Sequence, residues 1–348
     1  MKSFSTGLRL LIVGSCLLTL FSSCHHPKKV TPSFYYWKTV YKTNQSESAW
    51  LTHFNVRKLY VRIMDVDMDE NGANPAPVSP VTFQNKLPDT IAIVPVVFIV
   101  NDILKKLTRQ QIDGLANHIL AFVNGKIQQA GKTSFDELQI DCDWTVATRD
   151  NYFYLLNQLQ LNPAFAHKTL SATLRLHQLK NQKNSGIPPA NRVMLMCYNM
   201  GNLRKYGNQN SILEIRELKK YINHNIADYA LPADVALPLF SWAVAFRNKE
   251  YLGIAKRIKF VDLNNKNQFI FIGNNIYKAS TDLPEYGLLK ADEVRWEDIS
   301  VPDLDAAAGY LSGLIKSDKV NVIYFHLDEN VISPYKFADL EKVDDLLR

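Results

Sequence analysis

The chain has 348 residues, of which 47% are hydrophobic and 21% charged, a globular composition with length enough for one large domain. Its formal charge is +6; Lys2 and Arg9 are the only charged residues among the first 23, so the remainder carries +4. A balance that mild, with no basic stripe and no glycine-rich phosphate loop, gives no case for nucleic acid as a partner.

The chain opens with a short basic region, MKSFSTGLR, and an apolar run, LLIVGSCLLTLF. The run is about a dozen residues, too short to span a bilayer as a permanent helix. It ends in LFSSC, which resembles the bacterial lipobox, with Leu20 and two small residues ahead of Cys24. That resemblance implies a signal peptide over residues 1–23, cleavage before Cys24 and lipidation of that cysteine. Residues 24–32 then serve as a polar tether. An ordinary cleaved signal peptide or an N-terminal anchor is the other reading. No acid follows Cys24, so the resemblance implies the outer membrane of a Gram-negative cell, on its periplasmic or surface side, and a membrane partner through the lipid alone.

Beyond the tether, eight β-rich apolar runs follow at 33–41, 58–67, 90–100, 137–145, 169–179, 192–200, 234–246 and 319–328. Runs of this kind suit parallel strands buried on both faces. Between them lie helical patterns. SESAWLTHFN starts from a serine cap, and the next starts at Thr108, carries Ile112, Leu115, Ile119 and Phe122 on one face, and closes on Gly131. Only KNQKNSGIPPAN, after the fifth run, is too broken for a good helix. The alternation predicts an α/β chain folded as a (β/α)8 TIM barrel over residues 33–348, with a small β insertion after the seventh strand at about 248–297. A doubly wound open sheet is the alternative. Cys142 and Cys197 fall on strands separated by one intervening strand, about 9–10 Å from each other, beyond disulfide reach, and should be buried free thiols.

Strand alternation sorts the polar residues. In LQIDCDWT (138–145) Leu138, Ile140 and Cys142 share one face, which leaves Asp141 and Asp143 pointing inward. The same rule places Asp65 and Asp67 together, sends Arg175 and His177 inward from the fifth strand, and groups Met194, Met196 and Tyr198 on the sixth and Phe240 and Trp242 on the seventh. In the eighth, Ile323, Phe325 and Leu327 suit the helix layer, so Tyr324, His326 and Asp328 should face in. Asp67, Asp141, Asp143, Arg175, His177, Tyr198, Trp242, His326 and Asp328 thus converge at the C-terminal end, where sites of this fold sit. An internal ion-pair network plugging the barrel, Asp141 with Arg175 for example, is the competing reading. His177 and His326 lack a metal-ligand spacing, so neither metal nor cofactor is expected. Trp37, Trp144 and Trp242 could offer flat apolar faces to sugar rings or pack as core.

LQIDCDWT resembles the fourth-strand motif DGxDxDxE of glycoside hydrolase family eighteen, the chitinase family. VMLMCYNM (193–200) is similar to its sixth-strand MxYD or MxYN. The stretch FYYWKTVY also resembles bacterial lipoproteins related to such barrels. By this resemblance Asp143 orients the acetamido group of the sugar, Asp141 partners it, and Tyr198 supports it beside Asn199. Leu138 and Gln139 replace the first aspartate and the glycine. Thr145 replaces the glutamate that protonates the leaving oxygen, a general acid worth about 10²–10⁴ in rate. The resemblance therefore implies a glycan or another envelope polymer bound through Trp37, Arg175, His177, Asn199, Trp242 and His326, without the standard mechanism. Two alternatives stand: a hydrolase whose acid is Asp67, Asp328 or Glu329, or a scaffold lipoprotein. The sequence carries no expectation about oligomeric state.

Overall fold

The computed structural model describes residues 28–348, so the signal segment and the lipidation cysteine Cys24 lie outside the described residues. Each of the eight apolar runs contributes a barrel strand: Lys29–Tyr36, Lys58–Met68, Ala92–Ile99, Glu137–Cys142, Thr169–Arg175, Arg192–Met196, Ala233–Pro238 and Lys319–Phe325. All neighbours around the ring are parallel, and the first strand pairs with both the second and the eighth, which closes it. No edge is then left for the ring's backbone groups. Cys142 and Cys197 are free and buried, as expected.

The helical spans form where the pattern put them, with Asn44 rather than a serine capping the first, Gln45–His53. Arg109–Gln129 starts from a capping box between Thr108 and Gln111. Gly131 follows it at φ +80°, a left-handed conformation that costs glycine nothing. The weak stretch after the fifth strand becomes two short helices, Leu176–Lys180 and Gln182–Ser185.

Strict alternation fails between the second and third strands. Pro75, Pro77, Pro80 and Pro88 populate that connection, and proline blocks a helix interior. The chain instead folds Pro75–Val78 back antiparallel on the end of the second strand, outside the ring. The seventh run is also not one strand. Pro238 ends the barrel strand, and Trp242–Arg247 joins a separate antiparallel sheet with Glu250–Ile254, Phe269–Gly273, Ile276–Ala279 and Glu293–Glu297. That sheet has its own apolar centre, including Ala243, Phe269 and Val294.

Below the C-terminal mouth the barrel interior is filled. Tyr35 Oη donates to Gln139 Oε1, and Tyr60 Oη to Glu137 Oε1 at 3.4 Å. Near the strand starts, Lys58 pairs with Glu137 at 3.0 Å and Arg192 with Asp234 at 2.7 Å. These pairs are the internal plug that strand alternation allowed for. They lie at the end of the barrel remote from the carboxylates of LQIDCDWT.

Candidate functional site

At the C-terminal mouth the structure opens into a cavity of about 760 Å³. One side is ionic. Asp141 is 3% exposed and accepts a hydrogen bond from Thr173 Oγ1 at 2.7 Å. Burial pushes its carboxyl above the usual carboxylate range; Arg175 opposes that shift and Asp143 adds to it. Arg175 Nε donates to Asp143, whose side chain is 46% exposed at the rim. Burial works against the Arg175 charge, but Asp141 and Asp143 outweigh it and hold the guanidinium protonated.

A second pair stands in the same cavity. Arg62 Nη2 meets Asp65 at 2.5 Å, and Arg62 Nη1 donates to the Ser79 carbonyl at 3.1 Å. Residues three apart on a regular strand face opposite ways. Here the ladder to the third strand slips between Arg62 and Met64, and this bulge turns both side chains inward. Sequence reasoning missed Arg62 for that reason. Two charges three apart in an otherwise apolar strand are the signal that could have found it.

The other side is aromatic. Phe325 packs at 5.5 Å from Trp37, 5.5 Å from Tyr198 and 5.7 Å from Phe240, and Phe240 sits 5.2 Å from Trp242. Trp242 is held from behind, its Nε1 donating to Glu297 Oε2 at 3.0 Å. Glu297 is in turn paired with buried Arg295 at 2.6 Å and accepts from Ser211, so one network ties the insertion, the loop after the sixth strand and this indole. The phase expected for the eighth strand is inverted. Tyr324 faces the helices and donates to Asp344 at 2.7 Å, while Phe325 lines the cavity. Tyr324 opposes Phe34 in register, and both belong to the outer layer with Trp50 and Phe54. Both faces of this strand are apolar, with Val320, Val322 and Tyr324 on one and Ile323 and Phe325 on the other, so hydrophobicity does not distinguish them. His326 lines the cavity as well, following a cis peptide, and burial drives its imidazole down to about 4.

Of the expected residues, Trp37, Asp141, Arg175, Tyr198, Asn199, Trp242 and His326 line the cavity. Asp143 reaches it through Arg175. His177 lies on the surface of the helix Leu176–Lys180, because the fifth strand ends two residues earlier. Asp67 is beyond the ring, in the antiparallel extension, where its carboxylate accepts from the Met68 amide at 2.7 Å. Asp328 caps the short helix Glu329–Ile332 and pairs with Lys38 at 3.3 Å. Glu329 is exposed on that helix. Thr145 is exposed in a turn, its amide donating to Thr148 Oγ1 at 2.9 Å. Trp144 is core, fully buried and stacked on Tyr152 at 5.0 Å. No cluster of metal-binding side chains occurs among the described residues. The Tyr198 hydroxyl and His326 Nδ1 are buried without a hydrogen-bond partner among the described residues.

Solved structures share this architecture. A chitinase from Chromobacterium violaceum superposes with a TM-score of 0.55 at 11% identity, covering 92% of this chain and 99% of that one. The spore cortex-lytic enzyme SleL of Bacillus cereus gives 0.53 at 13% identity over 92% and 75%. The Group IV chitinase of Ostrinia furnacalis, solved in complex with allosamidin, gives 0.53 at 10% identity over 92% and 98%. At such identities the likeness establishes a common barrel fold. No protein-family model and no curated protein sequence matches the chain.

Proposed function

We propose that the protein is a lipid-anchored envelope protein whose glycoside-hydrolase-like barrel binds a glycan at its C-terminal mouth, outside the chitinase mechanism. The observation that carries this reading is the two-sided cavity: an aromatic wall built on Phe325 facing the ionic groups of Asp141, Arg175 and Arg62. A pyranose has an apolar face and a polar rim, and the two sides of the cavity match them. Tyr198 and His326 add buried polar atoms that no group among the described residues satisfies.

The argument against the family's mechanism is chemical. A threonine stands at the acid position, and the aspartate two residues before it is engaged by Arg175. The three carboxylates that the sequence offers as substitutes, Asp67, Asp328 and Glu329, are not among the described residues that line the cavity. A hydrolase reading now rests on Asp65 and Asp141, the two carboxyls that do line it, with burial favouring a protonated Asp141.

The test is to titrate the purified full chain with chitin oligomers and a panel of other oligosaccharides by calorimetry. The same mixtures are then chromatographed for shortened products. Binding without product is expected, and Trp242→Ala should weaken it about tenfold, the scale of one lost aromatic contact. Absence of binding across the panel, or affinity unchanged in both Trp242→Ala and Asp141→Asn, refutes the site. Shortened product establishes the hydrolase instead. Anchoring is tested separately by radiolabelled palmitate in cells, with label expected on the wild type and lost in Cys24→Ala.

A further inference from the structure

We infer that the cleft takes an acidic glycan, and that a basic lip on the insertion, formed by Lys256, Arg257 and Lys259, reads carboxylates on sugars flanking the one seated on the aromatic wall. This rests on the glycan reading of the cavity.

Charge accounting within the cavity points there. Arg62 is paired with Asp65, and Arg175 with Asp143 at the rim and with buried Asp141 through space, so neither arginine is left over for a ligand. His326 is held neutral at physiological pH. Lys256 is different: it lines the cavity, is exposed, and makes no ion pair among the described residues. Arg257 and Lys259 continue outward from it, both exposed and likewise without a carboxylate partner among the described residues.

The lip is a built element. The Ala255 amide donates to the Ala243 carbonyl at 2.8 Å, which fixes the segment against the insertion sheet. Ile258 is buried in the insertion's own core and pins it from the middle. Arg257 Nη1 donates to the Glu285 carbonyl at 3.2 Å, which orients the guanidinium without neutralising it. The Lys259 amide is used by Asp262 at 2.8 Å, while its side chain stays in solvent. Three like charges within four residues repel one another. Their continuity with the cavity through Lys256 gives them a direction: out of the mouth, along the path of a polymer that extends beyond the bound sugar. A neutral glycan has no use for such a lip, whereas a polymer with a carboxylate on alternate sugars would draw on all three cations.

A matched pair of probes isolates the charge. Hyaluronan hexasaccharide and its methyl ester differ only in carboxylate against ester, and both are titrated into the full chain at low salt. Three exposed ion pairs of modest strength amount together to about a tenfold preference for the acid. That preference should shrink at high salt, as screening removes exposed-charge attraction. In K256Q/R257Q/K259Q, with folding checked by circular dichroism, the ratio should fall to near one. Equal affinity for acid and ester, or a preference that survives the triple substitution, overturns the inference. If neither hyaluronan probe binds while a chitin hexamer does, the acidic reading falls and the glycan reading stands. If no saccharide binds, the glycan reading falls and this inference with it.

Discussion

Replacing Arg175 by methionine keeps most of the side-chain stem and removes the guanidinium between two carboxylates. Asp141 is 3% exposed, and its only hydrogen bond among the described residues comes from Thr173. Arg175 pairs directly with Asp143 and acts on Asp141 through space, so its removal leaves a buried carboxyl uncompensated, at a cost of about 1–3 kcal/mol. The Asp143 arm is half in solvent, so its share is at most about 1 kcal/mol. The loss is then about 2 kcal/mol at pH 7. Its pH dependence has a definite sign. Burial already raises the Asp141 carboxyl above its ordinary value, and losing Arg175 raises it further. The native variant therefore holds a proton that the unfolded chain releases above about pH 4. Its stability is greatest at acid pH and falls as pH rises through the folded-state value. Urea unfolding followed by tryptophan fluorescence should show a smaller penalty at pH 5 than at pH 7. The double variant R175M/D141N should recover most of the loss at pH 7. A penalty below about 1 kcal/mol, one equal at both pH values, or no recovery would refute the claim that Arg175 chiefly compensates Asp141.

Other expectations follow from single groups at the same mouth. Tyr198→Phe removes a buried hydroxyl with no partner among the described residues and should raise stability by about 1 kcal/mol while weakening oligosaccharide binding; a clear loss of stability would show that the hydroxyl is satisfied in the native protein. Burial holds His326 at about 4 in the folded protein, against an ordinary 6.5, so stability should be lost as pH falls from 6.5 towards 4, by at most about 3 kcal/mol. In His326→Gln that slope should flatten in parallel urea titrations, and an unchanged slope would assign it to other groups. Thr145→Glu should release no reducing sugar from chitin oligomers, because residue 145 is exposed in a turn outside the cavity lining and Asp143 remains bound to Arg175; measurable release would mean that a missing acid alone silenced the site.

Much of the cavity could be read from two-residue periodicity. Asp141 and Arg175 lie on strands whose alternate residues are plainly apolar, so their phase is unambiguous. The reading failed where periodicity carried no information. His177 followed the fifth-strand pattern on paper, but the chain had already turned into a helix. Asp67 kept the parity of Asp65 and so was grouped with it, yet the ring ends between them and only Asp65 reaches the cavity. Phe325 shares the parity of Ile323 and Leu327, which suggests the helix layer, yet it lines the cavity.

What the sequence by itself determined was the list of strands, the closure class and the ionic side of the mouth. Eight long β-rich runs separated by mostly helical spacers leave few ways to bury both faces, and parallel closure satisfies every edge. What only the tertiary structure decided was the aromatic side and the balance of charge. A bulge at Arg62–Met64 rotated an arginine into the cavity, the eighth strand chose which aromatic to present, and the insertion placed Lys256 on the rim. Each outcome depends on register against a neighbour distant in sequence. The energy differences that select it come from packing in three dimensions and leave no mark on local periodicity.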